Sequence, residues 1–373
     1  MGEIKNFVKV WISVFASLCY CYFIGKMAPK GKIRVLTILP IIFLFFLLPL
    51  NLSSIHLCGL TSFFVAWLAN SKLLLFSLGQ GPLSSDPSIS LIRFITVACL
   101  PIKIQHHPIP SPKSPQNITN KETPSPQNQD KPNPPPQIPK KGSKSPLNYA
   151  IKSLIVLLVI RTYDYRQYIH PNLILFLYCL HVYLFLDITL AMVAALARTL
   201  LGLELEPQFD EPYLSTSLQD FWGRRWNIMA SSLLRPTVYD PLRSLSTRIV
   251  GRKWAPLPAI LGTFIASGLI HELIFYYLGR SEPTWEITWF FVLHGVCSVM
   301  EVTVKKALKG KWGLPRVVSG PLTVAFVVVT AFWLFFPVFL RCKGDVRALD
   351  EYAALIQFAK VMGRTQTFNV TSA

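Results

Sequence analysis

The stretch PLPAILGTFIASGLIHELIFYYLG, residues 256–279, decides the class of fold. It is almost wholly apolar, and about 20 such residues are enough for an α-helix to cross the hydrocarbon core of a bilayer. Apart from tyrosines, its only ionisable side chains are those of His271 and Glu272, which are neighbours in the sequence. An ionisable pair at membrane depth is costly and usually serves function. The sequence therefore predicts a membrane helix that carries part of a functional site.

The rest of the chain contains further runs of this kind. Of its 373 residues, 51% are hydrophobic and 15% are charged, against roughly 25% charged residues in a typical soluble domain. We therefore predict an all-α, polytopic integral membrane protein with eight or nine transmembrane helices. The run 89–104 is short and contains Arg93, so it is the one expected to be half-inserted. The predicted spans are 7–25, 33–50, 54–70, 89–104, 147–162, 171–200, 256–279, 285–304 and 317–340.

A proline-rich stretch divides the chain into two groups of helices. Twelve of the 42 residues at 105–146 are proline and none is aromatic, a composition that cannot bury enough apolar surface to fold. We expect a disordered loop there, between N-terminal helices at 1–104 and a catalytic transmembrane region at 147–340, followed by a tail at 341–373. Within the catalytic region, residues 201–255 are both charged and aromatic, which predicts short interfacial helices that close over a membrane-embedded chamber.

The formal net charge of +18 does not indicate nucleic-acid binding, because the sequence has no zinc-finger, helix-turn-helix or RNA-binding signature. The basic residues fall between hydrophobic runs, where they favour the cytosolic side. This rule places the loops 26–34, 224–253 and 305–316 together. Counting spans from the first of them puts the proline-rich loop on the lumenal side unless 89–104 fails to cross. The seven cysteines show neither a CxxC pair nor a zinc-like cluster, so no metal site is predicted.

His271 is the strongest candidate for chemistry. Burial away from water favours the neutral imidazole, and a neutral imidazole can take a proton from a substrate hydroxyl as a general base. The structural alternative is a histidine that only hydrogen-bonds a neighbouring helix. Glu272 has two interpretations as well, a carboxylate that orients a neighbouring group or one that holds a helix contact.

A second unusual block, SLQDFWGRRWN at 217–227, lies upstream of His271. Its aromatic residues are typical of an interfacial helix. Asp220, Arg224, Arg225 and Asn227 are polar groups packed among them. The two arginines fit either the phosphates of a nucleotide-bearing acyl donor or lipid headgroups. The Asn227 amide, if it reaches the chamber, can donate a hydrogen bond to a developing oxyanion.

The other histidines in apolar segments are weaker candidates. His294 is predicted to make a helix–helix hydrogen bond, and His56 and His181 are predicted to be packing residues. Several known mechanisms lack their motifs in this sequence. His271 has no second histidine four residues on, as a zincin helix requires, and there is no GxSxG elbow, P-loop or dinucleotide-binding fingerprint. Paired broken helices in two repeats, which are typical of transporters, are not evident either.

Two motifs together point to a family. FWGRRWN at 221–227, followed by SGLIHE at 267–272, resembles the membrane-bound O-acyltransferase superfamily, and specifically its plant wax synthase-like branch. The resemblance covers most of the chain outside 105–146. Further blocks similar to that branch lie at 203–209, 235–239 and 289–295.

The resemblance implies how these residues work. His271 matches the catalytic histidine of the family, and Asn227 matches the polar residue across the reaction chamber from it. The donor is expected to be long-chain acyl-CoA arriving from the cytosolic side, and the acceptor a lipid alcohol from the bilayer. No metal, cofactor or covalent enzyme intermediate is needed. Glu272 and Asp220 are expected to support the site, and the expected acyl-CoA entrance consists of Trp222, Arg224, Arg225 and Trp226.

The acceptor is the open point of the resemblance. Members of this branch resemble either acyl-CoA–sterol acyltransferases or wax ester synthases that use long-chain fatty alcohols. The block 203–239 and the segment 341–354 are closer to the sterol enzymes, which favours sterol ester formation, with wax ester formation as the alternative. The implied location is the endoplasmic reticulum membrane. A hypothesis of another class is a non-enzymatic lipid transporter in which His271 gates the same cavity.

Overall fold

A computed structural model describes residues 2–86, 88–101, 146–202, 208–308 and 314–371. These residues form helices joined by turns, and none of them belongs to a β-strand, so the predicted all-α class is confirmed. The main helices are α1 (Gly2–Met27), α2 (Lys32–Asn51), α3 (Ile55–Ser77), α4 (Leu91–Cys99), α5 (Pro146–Thr162), α6 (Pro171–Leu201), α7 (Ile228–Leu234), α8 (Asp240–Val250), α9 (Pro256–Gly279), α10 (Glu286–Ala307), α11 (Arg316–Arg341) and α12 (Gly344–Thr371).

Seven helices in the described part of the chain are long and apolar enough to cross a membrane, namely α1, α2, α3, α6, α9, α10 and α11. The count differs from the eight or nine predicted, because two predicted spans form shorter helices. Helix α4 has nine residues, about 14 Å at 1.5 Å per residue. Helix α5 has 17 residues, about 26 Å by the same measure. The hydrocarbon core of a bilayer is about 30 Å thick.

The basic loops lie on one side of the molecule. Arg280, just after α9, donates hydrogen bonds to the carbonyl oxygens of Pro49, in the last turn of α2, and of Leu52, just after α2, at 3.2 and 3.0 Å, so α9 ends where α2 ends. The beginnings of both helices therefore share the other side, which we call the basic side because residues 26–34 lie there. The ammonium group of Lys306 donates to the Lys253 carbonyl oxygen at 3.1 Å. The end of α10 therefore lies on the basic side as well. The predicted grouping of the basic loops agrees with this arrangement.

Helix α4 stays on the basic side because two contacts hold its end there. The buried ammonium group of Lys72, one turn before the basic-side end of α3, donates to the carbonyl oxygens of Val97 and Leu100, each at 2.6 Å. The side-chain amide of Gln208 then donates to the Pro101 carbonyl oxygen at 2.9 Å. The described chain therefore remains on the basic side as far as Pro101.

This short helix removes the conflict in the predicted topology. Helix α6 ends just before the basic-side segment that begins at Gln208, so its beginning and the end of α5 lie on the opposite side. Helix α5 therefore runs from Pro146 toward that opposite side. Pro101, the last described residue before the proline-rich stretch, lies on the basic side. The predicted disorder of 105–146 concerns residues that, apart from Pro146, lie outside the described ones, as do residues 203–207.

Glycines allow α9 and α10 to pack closely. A Cβ atom on Gly268 would lie 3.1 Å from the Cα atom of Thr288, and one on Gly295 would lie 2.9 Å from the Cβ atom of Phe264. Small residues at such contacts let the backbones of membrane helices approach each other. The close packing brings α10 against the face of α9 that carries His271.

The segment 208–255 forms short helices on the basic side, in agreement with the predicted interfacial elements. Helix α7 packs against α3, because its Ala230 and Leu234 share an apolar cluster with Trp67 of α3. Helix α8 exposes apolar Leu245 and Ile249 beside its arginines, the composition of a helix that lies in the membrane interface.

Candidate active site

His271 offers an unprotonated ring nitrogen. It lies on α9 one turn after Ser267, and its Nδ1 is 2.7 Å from the Ser267 carbonyl oxygen. A carbonyl oxygen only accepts hydrogen bonds, so this contact assigns the proton to Nδ1 and the lone pair of the neutral ring to Nε2. No described residue hydrogen-bonds to Nε2, and the side chain is half-buried rather than closed off. The ring is therefore held in the tautomer that a general base needs.

Aromatic rings surround His271. The centroid of the Phe291 ring lies 4.4 Å from that of the imidazole at an interplanar angle of 33°. The Trp67 ring lies 5.3 Å away at 70°, in an edge contact. Within the described chain, no carboxylate forms an ion pair with His271. The ring of the candidate base therefore lies between aromatic side chains of α3 and α10.

Asn227 lies at the beginning of α7, where its side-chain oxygen accepts a hydrogen bond and its side-chain N–H groups are free. Its backbone is left-handed, with φ 41°, a conformation that asparagine adopts more readily than most residues. The Oδ1 atom accepts the N–H of Ala230 at 3.1 Å, and Ala230 packs against Trp67. Among the described residues, Nδ2 has no hydrogen-bond partner and no hydrogen bond joins Asn227 to His271. An amide with free N–H groups suits the role of an oxyanion donor.

Glu272 holds a helix contact. Its side chain is buried, and its two oxygens accept three hydrogen bonds at the beginning of α10. They come from the Trp285 N–H at 3.0 Å and from the N–H and hydroxyl of Thr288 at 3.1 and 3.2 Å. A carboxylate is favourable there because the first N–H groups of a helix lack intrahelical partners. Glu272 thus supports the candidate site by joining α9 to α10.

Asp220 and Arg225 bind each other within the upstream block. The Arg225 Nε atom lies 2.8 Å from Oδ2 of Asp220, and Nη1 donates to the carbonyl oxygens of Asp210 and Glu211 at 3.0 and 3.3 Å. These contacts fold the basic-side loop and occupy the Arg225 guanidinium. Arg224 is exposed and forms no ion pair or hydrogen bond with any described residue. It is therefore the arginine that is available to an anionic ligand.

Trp222 links the block to the membrane helices. Its indole N–H donates to Nδ1 of His294 at 3.0 Å, and Nε2 of His294 donates to the Thr330 hydroxyl at 2.8 Å. The predicted helix–helix hydrogen bond of His294 is confirmed, and both of its nitrogens are engaged. The Trp222 ring also lies 5.6 Å from Phe291, the ring that contacts His271.

Trp226 belongs to an aromatic stack. Its ring lies 5.4 Å from Phe221 at 14° and 5.2 Å from Phe209, and it also meets Tyr183 of α6 at 6.1 Å. The side chain anchors the block to α6. Of the four residues predicted at the acyl-CoA entrance, Arg224 is the one that is both exposed and uncommitted; the entrance itself stays a prediction.

Sequence reasoning missed both ring neighbours of His271 and the hydrogen bonds of two other histidines. Trp67 gave no signal, because a tryptophan inside a long apolar run resembles any other packing residue. His56 and His181, predicted to be packing residues, do pack against aromatic rings, and they also form hydrogen bonds that the prediction did not include. His56 Nδ1 lies 2.7 Å from Glu351, its Nε2 lies 3.0 Å from the Tyr352 hydroxyl, and His181 Nε2 lies 3.2 Å from that same hydroxyl. This network ties α12 to α3 and α6.

The arrangement suits direct group transfer between two substrates. His271 supplies an acceptor nitrogen and Asn227 supplies free donors, which are the two functions that acyl transfer to a hydroxyl requires. Within the described ranges, no group of three or more histidine, cysteine, aspartate or glutamate side chains is placed to hold a metal ion.

The chain is similar to known proteins over nearly its whole length. A family model described as the membrane bound O-acyl transferase family matches residues 205–293, which include both sequence motifs. The chain is 46% identical over 363 residues to Acyl-CoA–sterol O-acyltransferase 1 of Arabidopsis thaliana, covering 97% of this chain and 98% of that protein. It is also 46% identical over 364 residues to the Long-chain-alcohol O-fatty-acyltransferase of Simmondsia chinensis, covering 97% of each. A Probable long-chain-alcohol O-fatty-acyltransferase 3 of Arabidopsis thaliana is 43% identical over 361 residues, 96% of each chain.

Proposed function

Because this chain belongs to the membrane-bound O-acyltransferase family, we propose that it moves a long-chain fatty acyl group from acyl-CoA to the hydroxyl group of a sterol. The chain is an acyltransferase and a multi-pass membrane protein. The proposed setting is the endoplasmic reticulum membrane, whose lipids surround the seven apolar helices and deliver the acceptor.

One observation carries the proposal for His271. The hydrogen bond from Nδ1 to the Ser267 carbonyl oxygen, at 2.7 Å, leaves Nε2 as an acceptor that no described residue uses. Because Ser267 lies on the same helix as His271, no residue of another helix is needed to fix the tautomer of the ring. A base prepared in this way acts on a substrate hydroxyl without a metal or a carboxylate partner.

In the proposed reaction, Nε2 of His271 takes the hydroxyl proton as the acceptor oxygen attacks the thioester carbon. The carbonyl oxygen receives the electron pair of the double bond, and Nδ2 of Asn227 donates a hydrogen bond to it. When the carbonyl forms again, the thiolate of CoA leaves and takes the proton from His271. A thiol with a pKa of about 8.5 gives a good leaving group, so no strong general acid is required.

The donor is proposed to reach His271 from the basic side. Acyl-CoA carries phosphates, and the exposed guanidinium of Arg224 lies in the block that leads to Trp222 and Asn227. Arginine pairs with phosphate through charge-assisted hydrogen bonds. The apolar rings of Phe291 and Trp67 around His271 keep water away, which matters because hydrolysis of the thioester competes with transfer.

A long-chain alcohol is the second candidate acceptor. The observation in its favour is the 46% identity to the Simmondsia chinensis protein, equal to that with the sterol enzyme. The block 203–239 and the segment 341–354 support the sterol instead. The choice between a flat, rigid acceptor and a linear one depends on the shape of the acceptor pocket.

The test uses microsomes from yeast that lack their own sterol ester and wax ester synthesis and express the full chain. Labelled long-chain acyl-CoA is supplied with a sterol in one arm and with hexadecanol in the other. Sterol ester as the main product supports the proposal, and wax ester as the main product replaces the sterol with the alternative.

The matched variant is His271→Gln, which removes the base but keeps a polar side chain of similar length. We expect loss of esterification by a factor of about 100 or more, with the protein still present at wild-type level on immunoblots. Unchanged ester formation in this variant would disprove the assignment of the base. No ester in either arm with the wild-type chain would contradict the proposed acceptors.

A further inference from the structure

The N-terminal helix α3 is distorted where it passes His271. Residues Ser62–Ala69 form a π-helical segment within α3. Such segments shift the register of a helix, are unfavourable in themselves, and occur frequently at functional sites. Trp67 lies in this segment, and its ring makes the edge contact with His271 at 5.3 Å.

The indole N–H of Trp67 has no acceptor. The side chain is 3% exposed, and within the described chain its Nε1 atom is buried without a hydrogen-bond partner. Its packing neighbours are apolar, among them Phe63, Ala230 and Ile270. An indole nitrogen can only donate, and the large majority of buried donors in proteins are paired. An aromatic ring face is at most a weak partner for such a donor.

The rings of His271 and Trp67 are in contact, and one carries a free acceptor and the other a free donor, but the two groups do not hydrogen-bond to each other. Nε2 of His271 is an acceptor without a donor, and Nε1 of Trp67 is a donor without an acceptor. A reacting pair of hydroxyl and thioester has both missing partners, because the hydroxyl donates a proton and the acyl carbonyl oxygen accepts a hydrogen bond. Nε2 of His271 can therefore accept the proton of the substrate hydroxyl, and the Trp67 N–H can donate to the acyl carbonyl oxygen.

We infer that Trp67 is a catalytic residue whose indole N–H donates a hydrogen bond to the acyl carbonyl oxygen of acyl-CoA. This role rests on the proposed acyl transfer. As the hydroxyl proton moves to Nε2 of His271 and the hydroxyl oxygen bonds to the thioester carbon, the electron pair of the carbonyl double bond moves onto oxygen. Trp67 stabilises that oxyanion together with Asn227. The pair returns when the carbon–sulfur bond breaks, and the thiolate leaves with the proton from His271.

The inference adds a site residue from the N-terminal half of the chain. Trp67 lies outside residues 205–293, which the family model matches. Asn227 precedes α7 in the other half of the chain, and Ala230 and Leu234 of α7 belong to the same apolar cluster as Trp67. One oxyanion donor would thus come from each half of the chain.

Two substitutions at position 67 separate the N–H from the ring. Trp67→Phe shortens the side chain and removes the donor. Replacing Trp67 with 3-benzothienylalanine by stop-codon suppression keeps the two-ring shape and exchanges the N–H for sulfur. The matched control is Trp11→Phe on α1, because the Trp11 Nε1 atom is also buried without a partner among the described residues and its ring contacts are with Phe7 and Phe15.

Rates are measured in the microsomal assay with labelled acyl-CoA and the better of the two acceptors, per amount of enzyme. We expect both position-67 variants to lose kcat by a factor of about 100 to 1,000, the usual effect of removing one oxyanion donor, with KM for acyl-CoA within about threefold of wild type because the bond strengthens only in the transition state. Trp11→Phe keeps the wild-type kcat.

Wild-type kcat in the benzothienyl variant would overturn the inference, even if Trp67→Phe were inactive, because it would show that ring packing alone is needed. A change confined to KM would overturn it as well. Ester formation by the wild-type chain is measured first in the same membranes, so failure of the proposed function is distinguished from failure of the role of Trp67.

Discussion

Glu272→Gln tests whether the carboxylate next to the proposed base serves the fold or the chemistry. The three hydrogen bonds that Glu272 accepts at the start of α10 involve both of its oxygens. Glutamine keeps one acceptor oxygen and turns an N–H group toward a backbone N–H. At least one hydrogen bond to a charged acceptor is lost, worth about 1.5–3 kcal/mol. Loss of the charge at the helix beginning adds about 0.3–1 kcal/mol.

These terms predict a loss of about 2–4 kcal/mol in the free energy of unfolding. In a protein of this size that corresponds to a decrease of roughly 5 °C in apparent Tm. In the assay, a fluorescent fusion of the protein is heated in detergent. Size-exclusion chromatography then measures the fraction of protein that remains monodisperse at each temperature. Esterification per folded molecule at low temperature is expected to stay near wild type, because His271 keeps its bond to Ser267.

The matched control is Glu282→Gln, in the exposed turn between α9 and α10, which is expected to leave the apparent Tm unchanged. If Glu272→Gln had the wild-type Tm, the reasoning about the helix beginning would be refuted. If it were fully stable yet inactive, the carboxylate would belong to the chemistry.

Other contacts lead to three more expected outcomes. His294→Leu should lower the apparent Tm by a few degrees, because the half-buried indole N–H of Trp222 is left unpaired at about 1–3 kcal/mol, whereas the Thr330 hydroxyl keeps the hydrogen bond that it donates to the Phe326 carbonyl oxygen; an unchanged Tm in the heating assay would contradict this. Arg224→Gln should raise KM for acyl-CoA several-fold at wild-type Tm, whereas Arg225→Gln should lower Tm, and the reverse pattern would exchange their roles. Burial alone raises the pKa of Glu351, but hydrogen bonds from His56 and from backbone N–H groups outweigh it and lower that pKa from 4.5 to about 2. Because the folded-state pKa lies below the unfolded one, the stabilisation is complete above about pH 4.5 and is lost as the pH falls toward 2. In a series of Tm against pH, the wild type should therefore lose more over this window than Glu351→Gln, and parallel curves would refute the pairing.

The membrane helices were predictable because each needs only a local property, a long apolar run. One of the two runs that form shorter helices than predicted still carried the signal for that error. Leu100 precedes Pro101 and is extended, with φ −95° and ψ 154°, as a residue before proline prefers. Helix α4 therefore ends at Cys99, and a strict use of that preference would have shortened the predicted span 89–104.

The candidate base and amide were predictable from residue type and motif, whereas their surroundings were not. His56 and Glu351 are separated by 295 residues, and the contact of Trp67 with His271 joins α3 to α9. Such pairs depend on how helices pack, and the hydropathy of a single sequence does not show which helices contact each other. For the same reason Arg224 and Arg225 looked alike, although only Arg225 folds back onto Asp220.

The contacts around His271 also change how the two groups of helices relate to each other. Boundaries drawn from composition place the catalytic region at 147–340 and leave the N-terminal helices outside it. Yet Trp67, on α3, contacts His271 and supports α7, and α9 meets α2 at the other end through Arg280. The N-terminal group of helices therefore contacts the candidate base directly through Trp67, and we expect a substitution at Trp67 to affect that base as much as one in either motif.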